Sequence, residues 1–134
     1  MQVMIVGGNQ MKNFAPRYYD YAHKLSNGFI RNNNTVLRFF DRDVSRLSNI
    51  FRSRKMGVGN ANKKFLRQIA EFQPELVVFH HSDVISPATL CRIKESHPDI
   101  KLAQVGVDPL FMPGNVQRLN TKSPHVDATC MTTR

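Results

Sequence analysis

The sequence predicts an α/β fold: a Rossmann-like, doubly wound, mostly parallel five-stranded sheet. Three observations carry this. Short apolar runs alternate with stretches of helical periodicity along the whole chain of 134 residues. The run Leu76-Val77-Val78-Phe79 carries no charge, as a strand buried on both faces does in a parallel sheet. It then turns polar at once, into His80-His81-Ser82-Asp83, and ligands of open parallel sheets collect outside the carboxyl ends of the strands.

Residues 2–6 form the first apolar run, and Gly7-Gly8-Asn9 breaks it. A helix is expected over residues 15–31, where Tyr18, Ala22, Leu25 and Phe29 recur at helical spacing. Pro16 suits its first turn, and Asn32-Asn33-Asn34 suits its end. Residues 35–40 give the second strand, closed by Asp41-Arg42-Asp43. A short helix over 45–51 and a loop over 52–59 follow. Phe65, Ile69 and Phe72 then mark one face of a helix over 62–72, which Pro74 separates from the third strand, 75–80. Ser86-Pro87 reads as a cap followed by a first-turn proline, and that helix stops at Pro98. Residues 100–107 form the fourth strand, 113–119 a helical turn and 126–131 the fifth strand.

Residues 1–134 read as one domain. The strand at 126–131 has no closing helix after it, which predicts an edge strand or the front part of a longer chain. No apolar run nears the eighteen residues of a membrane span, and no signal-peptide pattern opens the chain. Cys91 and Cys130 form no motif, so a reduced, cytoplasmic setting is expected.

The net charge of +9 suggests an anionic partner. Between Arg42 and Arg67 the basic residues are Arg42, Arg46, Arg52, Arg54, Lys55, Lys63, Lys64 and Arg67, against the single acid Asp43. They fit a solvated face, phosphate capture or an anionic membrane surface. No zinc spacing, ribonucleoprotein motif or basic-aromatic interleaving is present, so no specific nucleic-acid binding is expected.

The candidate site gathers at strand ends. Gly7 and Gly8 allow a tight turn or a close backbone approach to a ligand, with Asn9 beside them. Gly-x-Gly-x-x-Gly and the P-loop are both absent. Asp41 stands where an acid holds ribose hydroxyls in dinucleotide-binding folds. His80, His81, Asp83 and Asp108 are candidates for general acid or base work, and Ser82 for a substrate hydrogen bond. Adjacent strand residues point to opposite faces, so His80 and His81 are not expected to share a metal ion, and no metal site is predicted. Strand order 3-2-1-4-5 would centre the site on Gly7, Gly8 and Asp108, and order 2-1-3-4-5 would bring the histidines opposite Gly7-Gly8. The sequence leaves both open. His23, His97, His125 and Asp127 read as structural or surface residues.

Taken in order, residues 2–8, Phe14-Ala-Pro-Arg-Tyr-Tyr-Asp-Tyr-Ala, 36–43, Ser53-Arg-Lys-Met-Gly, His80-His-Ser-Asp-Val-Ile-Ser-Pro and Gln104-Val-Gly-Val-Asp-Pro-Leu-Phe resemble the N-terminal half of CgeB-related (spore maturation protein-like) glycosyltransferases of GT-B architecture. The resemblance implies an acceptor-side domain, with Gly7, Gly8, Asn9, Phe14, Ser82, Arg52, Arg54 and Lys55 contacting a glycan or other hydroxyl acceptor. A nucleotide-sugar would serve as co-substrate on a C-terminal half beyond Arg134, with no other cofactor. The basic segment would meet the inner membrane face, and this chain alone would be inactive. The alternative is a stand-alone flavodoxin-like or nucleotide-binding module without catalytic activity. A response regulator of that class would show acids after the first strand, a phosphoacceptor aspartate after the third and a lysine after the fifth; the first and last are missing, and His80-His81 stands near the place of the second, with Asp83 not far away. A nicotinamide-binding domain would rest on Asp41 alone.

Overall fold

The computed structural model describes residues 1–8 and 20–132. Asn9, Phe14, Pro16 and the first part of the helix expected from residue 15 lie outside them. The strands are β1 (Gln2–Gly7), β2 (Thr35–Phe39), β3 (Leu76–His80), β4 (Lys101–Gly106) and β5 (Ala128–Met131). Between them run α1 (Tyr21–Arg31), α2 (Asp41–Leu47), α3 (Val58–Phe72), α4 (Pro87–Ser96) and α5 (Pro113–Lys122), with a single 3-10 turn at Ser123–His125. All five strands are parallel, in the order β2-β1-β3-β4-β5. The α/β, Rossmann-like sheet is therefore present, in its flavodoxin-like order.

Strand alternation builds the core. Met4 and Val6 of β1 join Val77 and Phe79 of β3 on one face, under Phe65 and Ile69 of α3 and Leu90 and Ile93 of α4. Val3, Ile5 and Val78 face the other way, against Ala22, Leu25 and Phe29 of α1. Each such fully buried side chain contributes about 1.5–3 kcal/mol. Because β1 and β3 are covered on both faces, their sequences are continuous apolar runs.

Several boundaries differ from the sequence reading, α3 for one starting at Val58 inside the expected loop, and two of them bear on the site. Asp41-Arg42-Asp43 is the first turn of α2 and not a closing turn, since acidic residues suit the positive end of a helix dipole. The turn expected at 113–119 extends to Lys122, with Pro113 at its first position. Both changes carry charged side chains to the carboxyl ends of the strands. Among the described residues, no helix is long and apolar enough to cross a membrane.

Candidate functional site

In this strand order the topological switch lies between β1 and β3. Gly7 of β1 pairs with His80 of β3, so the glycine turn and the histidine strand end stand side by side. Gly7 has φ +108°, and a Cβ there would overlap the His80 carbonyl oxygen. Gly8 has φ +75°, and a Cβ would lie 2.6 Å from Oδ2 of Asp20, whose Oδ1 accepts the His23 N–H at 2.7 Å to cap α1. Both glycines are thus required by close packing of β3 and α1 against β1.

The two histidines do different things. His80 is buried, and its ring sits 4.9 Å from that of Tyr21. Burial, and then the neighbouring His81, lower its pKa to about 4, so the ring is neutral at pH 7. Its Nδ1 is buried with no hydrogen-bond partner among the described residues. The strand ends at His80. His81 adopts φ +48°, which breaks the alternation and brings the two rings to 4.2 Å, edge to face. Nη1 of Arg118 donates to His81 Nδ1 at 2.9 Å, and guanidinium nitrogens can only donate. The His81 proton therefore sits on Nε2, which lies 3.5 Å from Oδ1 of Asp108. Arg118 Nη1 also donates to Oδ2 of Asp108 at 3.3 Å. Burial pushes the His81 pKa down, against the pull of Asp108.

Ser82 and Asp83 complete the turn after β3. Nζ of Lys122, at the end of α5, donates to the Ser82 carbonyl oxygen and, at 2.7 Å, to its hydroxyl. Burial lowers the Lys122 pKa to about 8, while the charges of Asp41 and Asp83 pull the other way. Arg42 Nε donates to Asp83 Oδ1 at 2.6 Å, and Arg54 Nη1 to Asp83 Oδ2 at 3.1 Å. Burial works against ionisation of Asp83, but these two arginines outweigh it and hold the carboxyl below the usual range. A small cavity of about 30 Å³ lies beside these groups, between the ends of β3 and β4 and α5, with His81, Gln104, Asp108, Arg118 and Lys122 on its wall.

Asp41, where a dinucleotide-binding fold would place its ribose contact, is fully buried. Its Oδ2 accepts the Val84 N–H at 3.2 Å, and its Oδ1 has no partner among the described residues. Burial, the largest cause, raises its pKa to about 6. It faces the fold's interior, so it is not offered to a ligand.

Of the residues selected from sequence, His80, His81, Ser82, Asp83, Asp108, Gly7, Gly8 and Arg54 lie at this end of the sheet. Arg52 and Lys55 are exposed in the loop between α2 and α3 and, among the described residues, form no ion pair with the strand ends. Arg42 was read only as one of the basic residues between 42 and 67, and Arg118 and Lys122 were missed. The spacing of Arg118 and Lys122 by four puts them on one face of α5 and was the available signal. No group of three or more His, Cys, Asp or Glu side chains among the described residues is placed to hold a metal ion.

No protein-family model matches this chain, and no curated protein matches it. Among solved structures it is similar to a DNA-binding response regulator of the LuxR family from Staphylococcus aureus, at 14% identity and a TM-score of 0.47, over 98% of this chain and 86% of that one. A likeness of that size transfers no residue roles. The glycosyltransferase resemblance finds no support in any of these comparisons and falls with everything it implied. That covers the CgeB relationship, the GT-B half, the nucleotide-sugar donor, the glycan acceptor and the anionic membrane surface. The physical reason lies in what was matched: polar residues and glycines at strand ends recur in any parallel α/β sheet. The observed order, β2-β1-β3-β4-β5, belongs instead to the flavodoxin-like class named as the alternative.

Proposed function

We propose that this chain is a flavodoxin-like binding module that holds a small phosphate-bearing or other polyanionic ligand at the carboxyl ends of β1, β3 and β4, without catalysis of its own. One observation carries the reading: Arg42, Arg54, Arg118 and Lys122, drawn from α2, the following loop and α5, converge on the residues that follow β3 and β4. Four cations meet three carboxylates: Asp83, Asp108 and the buried Asp41, whose charge acts on Lys122. Each guanidinium has five N–H donors, and these ion pairs use only one or two of them. The side chains of Arg54 and Arg118 remain 43% and 41% exposed, so their other donors face solvent. In this reading Asp83 positions Arg42 and Arg54, while His81 and Asp108 position Arg118. Bidentate contact from the two exposed guanidiniums supplies the affinity.

The catalytic roles considered for the histidines fit less well. His80 is buried and neutral, and the His81 nitrogen that could take a proton already accepts from Arg118. Phosphoryl transfer to Asp83 is not part of this reading either. The sequence from Gly7 to Tyr19 contains no acid, and Asp83 is occupied by two arginines.

Thermal unfolding with and without pyrophosphate tests the proposal. Pyrophosphate at a hundred times its dissociation constant should stabilise the fold by about 2.7 kcal/mol, and the gain should shrink with added salt. Arg54→Ala combined with Arg118→Ala should abolish the gain. An unchanged midpoint at millimolar pyrophosphate would remove the reading.

A further inference from the structure

A second surface lies beside this site, in the loop that joins α2 to α3. Ile50 is 96% exposed and Phe51 75% exposed, with Leu47 and Met56 also largely in water. Large apolar side chains grouped in this way mark contact surfaces. The loop is built to keep them there. Asn49 Nδ2 donates to the carbonyls of Ser45 at 3.0 Å and Ser53 at 2.7 Å, and its Oδ1 accepts the Ser53 N–H at 3.0 Å. The Ser45 hydroxyl donates to the Arg54 carbonyl at 2.5 Å. Gly57 packs so closely on the Ser45 carbonyl that no side chain fits there. The apolar tip is therefore held open by hydrogen bonds that close the loop beneath it. Such preorganisation lowers the entropy cost of binding.

We infer that this loop docks an acidic, amphipathic segment of a partner protein. Charge complementarity selects the occupant. Arg46, Arg52, Arg54 and Lys55 surround the apolar tip, and the chain carries a net charge of +9. A second copy of this chain would bring the same cations against these. Two of the cations are set in directional pairs with acids, Arg46 with Asp43 at 3.5 Å and Arg54 with Asp83 at 3.1 Å. A polypeptide can place carboxylates opposite Arg52 and Lys55 and apolar groups opposite Ile50 and Phe51. The inference stands apart from the anion site, although Arg54 belongs to both surfaces.

Amide chemical shifts of the labelled chain should be followed while three probes are added. The first is a synthetic amphipathic peptide with Glu at its polar positions and Leu and Phe at helical spacing. The second is the same peptide with Lys for Glu, and the third is vesicles of phosphatidylcholine with phosphatidylserine. The acidic peptide is expected to move residues 46–57 selectively and to bind more tightly than either other probe. Ile50→Ser with Phe51→Ser should weaken it about tenfold or more, and Arg52→Glu with Lys55→Glu should weaken it severalfold. Both pairs are exposed, so the variants keep the fold, which the remaining spectrum reports. Equal binding of the basic peptide, tighter binding of vesicles, shifts centred elsewhere, no response to any probe, or self-association that Ile50→Ser removes would each overturn the inference.

Discussion

Asp41 and Asp83 both stand just beyond the end of a strand, yet their carboxyl groups shift in opposite directions. Asp41 is fully buried under the turn after β3, with one N–H donor and one oxygen unmatched, and its pKa rises to about 6. Asp83 lies in front, half-buried, with two guanidiniums on it, and its pKa falls. Burial raises the pKa of both carboxyls; two guanidiniums outweigh it at Asp83, and a single N–H does not at Asp41. Behind the strands, polar groups fasten loops to helices. In front, they hold cations in place.

The largest expected effect comes from the rear region. Asn62 donates to the carbonyls of Val58 at 2.8 Å and Val84 at 2.9 Å, and accepts from Ser86 N–H at 3.0 Å and the Thr89 hydroxyl at 2.6 Å. Asn62→Leu strands those four partners and should cost about 3 kcal/mol in urea unfolding. Pyrophosphate affinity of the folded fraction should not change.

The next effect separates the two aspartates by pH. The folded pKa of Asp41 lies above its ordinary 3.8, at about 6. Its contribution to stability is fully present below pH 3.8 and is lost as pH rises through about 6. Asp83 has the opposite sign. Its contribution is present above the ordinary carboxylate pKa and is lost as pH falls through the lowered folded value. Asp41→Asn should therefore raise stability at pH 7 by about 1–2 kcal/mol and flatten the unfolding free energy over that window. A steeper pH dependence in the variant would contradict the assignment.

Smaller still is Asp83→Asn. Its ion pairs are partly exposed and screened, so the loss should be about 1 kcal/mol or less and should fade in high salt. Arg54→Ala should change stability by roughly 0.5 kcal/mol or less while weakening anion binding.

The rear of the molecule was the more readable half. Val77 to Phe79 showed a doubly buried strand, and Ser86-Pro87 marked the start of α4, where the Ser86 hydroxyl accepts the Thr89 N–H at 3.2 Å. The strand order was hidden, because every strand–helix unit has the same pattern and pairing depends on contacts distant in sequence. The site was half visible. His80 to Asp83 and Asp108 announced themselves by polar side chains at the end of apolar runs. Lys122 did not, since a lysine in a last helical turn is ordinary and its burial follows from how α5 lies across β4. Asp41 stayed ambiguous for a related reason: an acid after β2 reads alike whether its side chain turns toward a ligand or, as here, into the fold.

The central claim is that the cations in front of β3 and β4 form an anion site. Calorimetric titration of pyrophosphate into the wild-type chain and into the Arg54→Ala, Arg118→Ala double variant tests it most directly. The account predicts saturable binding to the wild type that weakens as salt rises, and none to the variant. Binding of equal strength to both would contradict it.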